Sequence, residues 1–321
     1  MSRRGQVLFL SMCVIWGIPY LLIKVAVRDL SASQLVFART APAALLLVPV
    51  AIRRGYLRPL LAQWRVVVVY TAVEVAGPWF LLSSAEKRLS SSVSALLIAT
   101  VPLIAAGLGL AIGHEDRLDR RRLAGLVLGL AGVAVLVGVD LHGTDLLAVG
   151  EATLTAVGYA TGPLIISRRF ADLPGLGPVA ASFALTALAY AGLALRNPPA
   201  QLPAEVVASV VVLALVCTAL AFLVFFALIR EVGPARATVI TYVNPAVAVA
   251  LGVILLGERL SLGIAIGFPM ILAGSLLATA RSRRHGRAAA PAAPATPTEP
   301  TEPTEPTEPT IPATPITPAA P

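Results

Sequence analysis

Three charged side chains, Lys24, Arg39 and Glu74, lie inside stretches that are otherwise almost wholly apolar. Glu74 stands about eight residues into its run, so ~12 Å of helix would separate it from the nearer end. A carboxyl group at that depth is costly in hydrocarbon unless it is protonated, paired or facing water. Arg39, about five residues into the preceding run, is the nearest cation to offer it. Together the two charges suit a zwitterion such as an amino acid or its derivative, or they form a private ion pair tying two helices. Glu74 is also the candidate for proton coupling, as the acid well inside a run. Lys24 lies closer to the end of its run and can extend its amine toward water.

Around these charges the sequence offers polar and aromatic groups at corresponding places. Trp16, Tyr20 and Tyr159 can line a pocket wall, or pack and anchor at the membrane interface. Asn244, with Tyr242 and Thr100, adds polar groups beside two prolines, Pro102 and Pro245. Each proline removes a backbone hydrogen bond and frees a carbonyl one turn earlier, which serves either a static bend or a cavity-lining, gating kink.

The elements that must position these groups are read from apolar runs of about 20 residues. They predict helices near residues 7–27, 34–52, 66–84, 92–112, 122–139, 147–167, 177–195, 206–228, 237–257 and 263–280. Hydrophobic residues make up 57% of the 321 positions and charged residues 13%, far below the usual ~25% of a soluble domain. The fold class expected is an all-α integral membrane protein.

The chain also repeats itself. Residues 85–118 resemble residues 227–261, with Pro102 on Pro245, Gly109 on Gly252 and Glu115 on Glu258. The same shift of 143 carries Trp16 onto Tyr159. A five-helix unit therefore occurs twice, as residues 1–140 and 141–280. An odd number of crossings turns the second copy over, giving the two inverted repeats common among secondary transporters. The same shift carries Lys24, Arg39 and Glu74 onto Ser167, Ser182 and Cys217, none of them charged. The first repeat is thus expected to supply the charged recognition groups.

A net charge of +8 could suggest a nucleic-acid partner, but its distribution argues against one. With a cytosolic N-terminus, eighteen of the 25 lysines and arginines fall on the cytosolic side. Lys24, Arg28, Lys87, Arg88, Arg196 and Arg259 fall outside, and Arg39 lies within a span. That asymmetry follows the positive-inside rule and places both termini in the cytosol of a bacterial inner (plasma) membrane protein. The three histidines are scattered, Cys13 and Cys217 sit in spans, and no metal, cofactor or hydrolytic motif is visible, so no enzyme is expected. Gly125-x-x-x-Gly129 and Gly263-x-x-x-Gly267 predict close helix packing of the fifth and tenth helices.

From residue 281 onward the composition changes. Proline recurs at every third position from Pro291 to Pro321, with Glu299, Glu302, Glu305 and Glu308 on a second edge of a polyproline II helix. This predicts a disordered cytosolic tail, with docking of a cytosolic partner as the alternative.

Trp16-Gly17 followed by Lys24 and Arg39 resembles the opening of the EamA-type transporters of the drug/metabolite transporter superfamily. Ser90-Ser91-Ser92 leading to Thr100-Val101-Pro102 and Glu115 resembles one of that family's repeated signatures. Gly233-Pro234-Ala235 leading to Asn244-Pro245 and Leu256-Gly257-Glu258-Arg259 resembles the other. Gly113-His114-Glu115-Asp116-Arg117 and Tyr159 depart from the common pattern. The resemblance implies a ten-helix carrier for a small-molecule substrate in a lipid bilayer, exporting metabolites, amino acids or drugs by alternating access. A membrane-embedded binding or signalling protein without net transport is the alternative.

Overall fold

Removed from water, every backbone N–H and C=O must find its partner within its own segment, and long apolar runs therefore coil into helices. In the computed structural model the described residues are 1–111, 120–140, 146–199 and 201–279. The signature Gly113–Arg117, including Glu115, and the proline-rich tail lie outside them. Ten long helical segments occur among the described residues. They are α1 (Arg3–Ala26), α2 (Ala32–Arg53), α3 (Trp64–Ala85), α4 (Ser91–Ala111) and α5 (Arg120–Asp140). The others are α6 (Leu146–Arg169), α7 (Leu176–Ala194), α8 (Ala204–Val232), α9 (Ile240–Leu256) and α10 (Leu262–Thr279).

Eight of these are long and apolar enough to cross a membrane. The other two depart from expectation for separate reasons. Helix α9 is apolar but only 17 residues long, whereas α6 has 24 residues and carries Glu151, Arg168 and Arg169. The outward faces are apolar: Leu45, Leu130, Leu188 and Ile254 are each more than 70% exposed. Surfaces of this kind are insoluble in water and suited to lipid.

Several of the helix pairings correspond under exchange of the two halves. Helix α2 packs on α7 and α5 on α10, each on its own counterpart. The pair α1–α8 maps onto α6–α3, and α9–α1 onto α4–α6. The α5–α10 seam is the closest. A Cβ at Gly125 would strike the backbone of Gly274 and Ala278, and one at Gly132 would strike Gly267 O. Glycine lets the two backbones touch, so the predicted close packing of these helices is of one against the other.

Four helices are irregular. Helix α1 opens at residues 16–18, ahead of Pro19, and α4 opens at Ala99–Thr100, just ahead of Pro102. Helices α3 and α8 each contain a π-helical turn, Thr71–Ala76 and Leu215–Leu220. These turns correspond at a shift of 144, one more than the sequence repeat. Pro245, by contrast, lies in an uninterrupted helix, so the two prolines expected to kink alike do not break their helices alike.

Candidate functional site

Arg39 lies in the middle of the protein, 8% exposed. Its Nε donates to Thr218 Oγ1 at 2.8 Å. Thr218 in turn donates to Leu213 O five residues back, at 2.7 Å, a reach that the π turn of α8 creates. The guanidinium carbon stands 3.7 Å from the centroid of the Trp79 ring. A desolvated cation over indole gains ~2 kcal/mol. Among the described residues no carboxylate comes within ion-pairing distance of Arg39. A guanidinium taken out of water without a counter-charge is strongly unfavourable, so this centre is poised for an anion.

The aromatic surroundings form a chain. Trp79 meets Phe183 at 5.5 Å, Phe183 meets Phe222 at 5.4 Å, and Phe222 meets Trp16 at 5.6 Å. Trp16 also rests against Phe225 at 4.7 Å. Tyr20 and Tyr159 both stand within electrostatic range of Arg39, as does Glu86. Of the expected pocket aromatics, Tyr20 and Tyr159 stand near the buried arginine, whereas Trp16 connects to it only through Phe222, Phe183 and Trp79. Trp79, the ring in contact with it, and Phe183 behind that ring carried no sequence signal because they lie singly in apolar runs. Their partnership depends on the packing of α3 against α7.

Glu74 does not join Arg39. It sits on the π turn of α3 and faces α6, where its carboxyl occupies the space that a Cβ at Gly162 would need. Its Oε2 is buried without a hydrogen-bond partner. The private Arg39–Glu74 ion pair, the alternative to joint recognition of a zwitterion, is not formed, because the helices carrying them turn these side chains toward different neighbours. The link between them is Tyr159, which stands within electrostatic range of both.

Asn244 and Tyr242 are engaged elsewhere. With its amide oriented by its neighbours, Asn244 donates to Ile240 O at 2.9 Å and to Cys13 O at 3.2 Å. The opening of α1 diverts Gly17 N to Val14 O and leaves the Cys13 carbonyl free, and Asn244 fills that vacancy. A Cβ at Gly17 would meet Val247 of α9, so the same opening brings α1 and α9 together. Tyr242 pairs with Thr279 at 2.7 Å, at the last residue of α10.

A second polar cluster lies at the ends of α1, α3 and α9. Gly257, with φ +66°, ends α9 in the left-handed conformation and turns the chain so that Glu258 reaches α4. Its carboxylate accepts from Ser91 N at 2.7 Å, Ser92 N at 3.0 Å and Ser92 Oγ. It thereby caps a helix of the other half of the chain, where anionic groups are favoured. A Cβ at Gly252 would fill the space held by Glu258 Oε2 and both serine hydroxyls. Lys24 Nζ donates to Glu86 O at 2.6 Å and Leu89 O at 2.7 Å, fastening α1 to the α3–α4 turn rather than extending to water.

The profile of the EamA-like transporter family matches residues 3–138 and again residues 146–280. This chain belongs to that family. The second EamA match begins 143 residues after the first, the offset of the internal repeat. The chain is 30% identical over 261 residues to the Escherichia coli K12 protein named "uncharacterized inner membrane transporter YedA", covering 78% of this chain and 82% of that one. It is 25% identical over 296 residues to an "uncharacterized transporter" of Archaeoglobus fulgidus, covering 88% and 100%. It is 25% identical over 288 residues to a Salmonella typhimurium "probable amino-acid metabolite efflux pump", covering 85% and 94%. A solved crystal structure with 23% identity superposes with a TM-score of 0.59 over 86% of this chain and 96% of its own. This EamA protein is accordingly a multi-pass membrane transporter.

Proposed function

We propose that this EamA transporter exports a small carboxylate-bearing metabolite, an amino-acid-like compound or a drug of similar chemistry, across the bacterial inner membrane by alternating access. The observation that carries the reading is the buried Arg39 guanidinium, held by Thr218 and Trp79 with no carboxylate partner among the described residues. A substrate carboxylate would supply the missing anion in a bidentate pair. An ammonium or other donor on the same molecule would lie across Tyr159 toward Glu74, within range of both charges. Tyr20 and the aromatic chain through Trp79 and Trp16 form the apolar wall. The names of the Escherichia coli and Salmonella relatives agree with an inner-membrane location and with efflux.

Within this reading the chain crosses the membrane ten times, as inverted halves 1–140 and 141–280 followed by a cytosolic tail, 281–321. Contacts at the helix ends support it. Arg28–Glu205, Arg88–Glu151, Lys24–Glu86 and Glu258–Ser91 gather the ends of α1, α3 and α9 with the starts of α4, α6 and α8. Arg4–Glu231 joins the start of α1 to the end of α8, and Tyr242–Thr279 the start of α9 to the end of α10. Alternating passages require this division of ends.

The test is a thermal-shift screen of the purified protein against amino acids, their methyl esters and their N-acetyl derivatives, followed by liposome flux of the best ligand. Free carboxylates are expected to stabilise the protein by mass action and esters to fail. Stabilisation by esters equal to that of the acids, or by acids unchanged in Arg39→Gln, would overturn the assignment.

A further inference from the structure

Glu86 is the most anomalous ionisable group among the described residues. It is 0% exposed, and neither carboxyl oxygen has a hydrogen-bond partner. Its neighbours explain why no partner is at hand. The Lys24 ammonium spends two of its donors on the Glu86 and Leu89 carbonyls rather than on the carboxyl. Glu258 brings a second carboxylate into range, already supplied by three donors of α4. Ser91 and Ser94, at the start of α4, also bury unpartnered hydroxyls. On the inner side Glu86 is within range of Arg39, Tyr20 and Tyr159. It therefore lies between the substrate centre and the Glu258 cap, facing Lys24 and Tyr20 of α1, Arg39 of α2, Tyr159 of α6 and Glu258 beyond α9.

We propose that Glu86 is a proton-binding site of the extracellular gate, protonated while Glu258 holds the start of α4 and giving its proton to external water when that cap opens. In the closed state the carboxyl O–H is intact and Glu86 is neutral, leaving Lys24 to balance Glu258. On opening, water reaches the carboxyl, the O–H bond breaks, the proton passes to water, and the carboxylate left behind faces Lys24. Closing requires a proton to return, because an unpartnered carboxylate cannot be sealed in so apolar a place. Burial holds the Glu86 carboxyl well above the usual range, an effect that nearby Lys24 opposes, Glu258 reinforces and Arg39 opposes. The inference rests on the transporter reading for its consequence, coupling of protons to gating, but the protonation itself does not depend on any substrate.

Two measurements test it. Infrared spectroscopy of the solubilised protein at neutral pH should show a protonated-carboxyl band that is lost in Glu86→Gln and retained in Glu74→Gln. A spectrum unchanged by Glu86→Gln would overturn the proposal whatever the fate of the transport reading. The second measurement places a cysteine at Ser94, in a background lacking Cys13 and Cys217, and follows its labelling by a membrane-impermeant maleimide. Dividing the rate by that of the same cysteine with Glu86→Gln cancels the thiol's own titration. Between about pH 6 and about pH 9 this ratio should rise, by up to roughly tenfold per pH unit for one proton. Glu86→Asp, which keeps the carboxyl, should retain the rise. A ratio independent of pH, with both variants folded, would show that Glu86 does not control the gate.

Discussion

Arg39 and Thr218 meet across the two halves of the chain, the guanidinium Nε of α2 donating to the threonine hydroxyl of α8 at 2.8 Å. The hydroxyl is available there because α8 widens into a π turn and lets Thr218 bond five residues back. The corresponding turn of α3 presents Glu74 instead. One architectural irregularity, made twice, thus holds a cation's partner in one half and a buried acid in the other. Under the proposed function, this difference would let two similar halves bind an asymmetric molecule.

Replacing Thr218 by Val removes the acceptor of Arg39 Nε while preserving shape. Loss of a hydrogen bond to a charged group costs about 1.5–3 kcal/mol, so affinity for a carboxylate ligand should fall roughly tenfold to a hundredfold with the protein still folded. Arg39→Lys should not rescue binding, since an ammonium lacks the planar fork that stacks on Trp79 and grips a carboxylate. Ligand titration by thermal shift measures both. Unaltered affinity in Arg39→Lys would show that the guanidinium plane is not used.

Gly162→Ala should be damaging although alanine is the better helix former. The new methyl would occupy the place of the Glu74 carboxyl, and overpacking of this kind costs about 1–3 kcal/mol. Glu74→Ala in the same chain should recover part of the melting temperature by removing the carboxyl, while the Glu74 Cβ, 2.9 Å from the new methyl, still presses on it. A Gly162→Ala variant as stable as the parent, with Glu74 intact, would refute the close approach of α3 and α6 at this point.

Much of the scaffold was legible in the chain. Apolar runs gave the helices, and the 143-residue shift anticipated two matches to one family profile. The repeated glycines signalled the α5–α10 seam, because a residue without a Cβ has one obvious use where two helices touch. The site was legible in part. Arg39 and the aromatics Trp16, Tyr20 and Tyr159 were visible as odd residues in apolar runs. Of the two readings of Arg39 and Glu74, the direct ion pair is not formed, since spacing along two helices says nothing of their rotation about their axes. Glu86 escaped notice because it stands beside Lys87 and Arg88 and looks like an ordinary solvated turn. Its burial comes from the helices packed around the α3–α4 turn, which the neighbouring residues in sequence do not reveal.

Asn244 and Glu258 each satisfy backbone groups of the first half from the second. Asn244→Leu would strand the Cys13 carbonyl exposed by the opening of α1, at a cost of ~1–3 kcal/mol. Glu258→Ala would strand the Ser91 and Ser92 amides at the start of α4, at a cap cost of about 0.5–2 kcal/mol. Both should lower the melting temperature. They should differ in access, because only Glu258→Ala loosens the gate and should raise maleimide labelling at Ser94→Cys. Equal labelling in the two variants would mean that the cap holds α4 without closing anything.

Orientation is tested by two exposed positions at opposite ends of α3. Lys87 lies just beyond its end and Arg58 shortly before its start, so a single crossing separates them. Cys13 and Cys217, the native thiols, are both buried and can be replaced to give a silent background. The positive-inside asymmetry requires Lys87→Cys to react with an impermeant maleimide on intact cells and Arg58→Cys to react only after permeabilisation. The contacts at the helix ends then fix the rest. Arg88 pairs with Glu151 and Lys24 with the α3–α4 turn, so the starts of α4 and α6 and the end of α1 must share the side on which Lys87 is labelled. The reverse labelling pattern would turn the whole protein over and place Glu86 and its gate at the cytosolic face. Equal labelling of both positions on intact cells would remove the α3 crossing itself, and with it the inverted arrangement of the two halves.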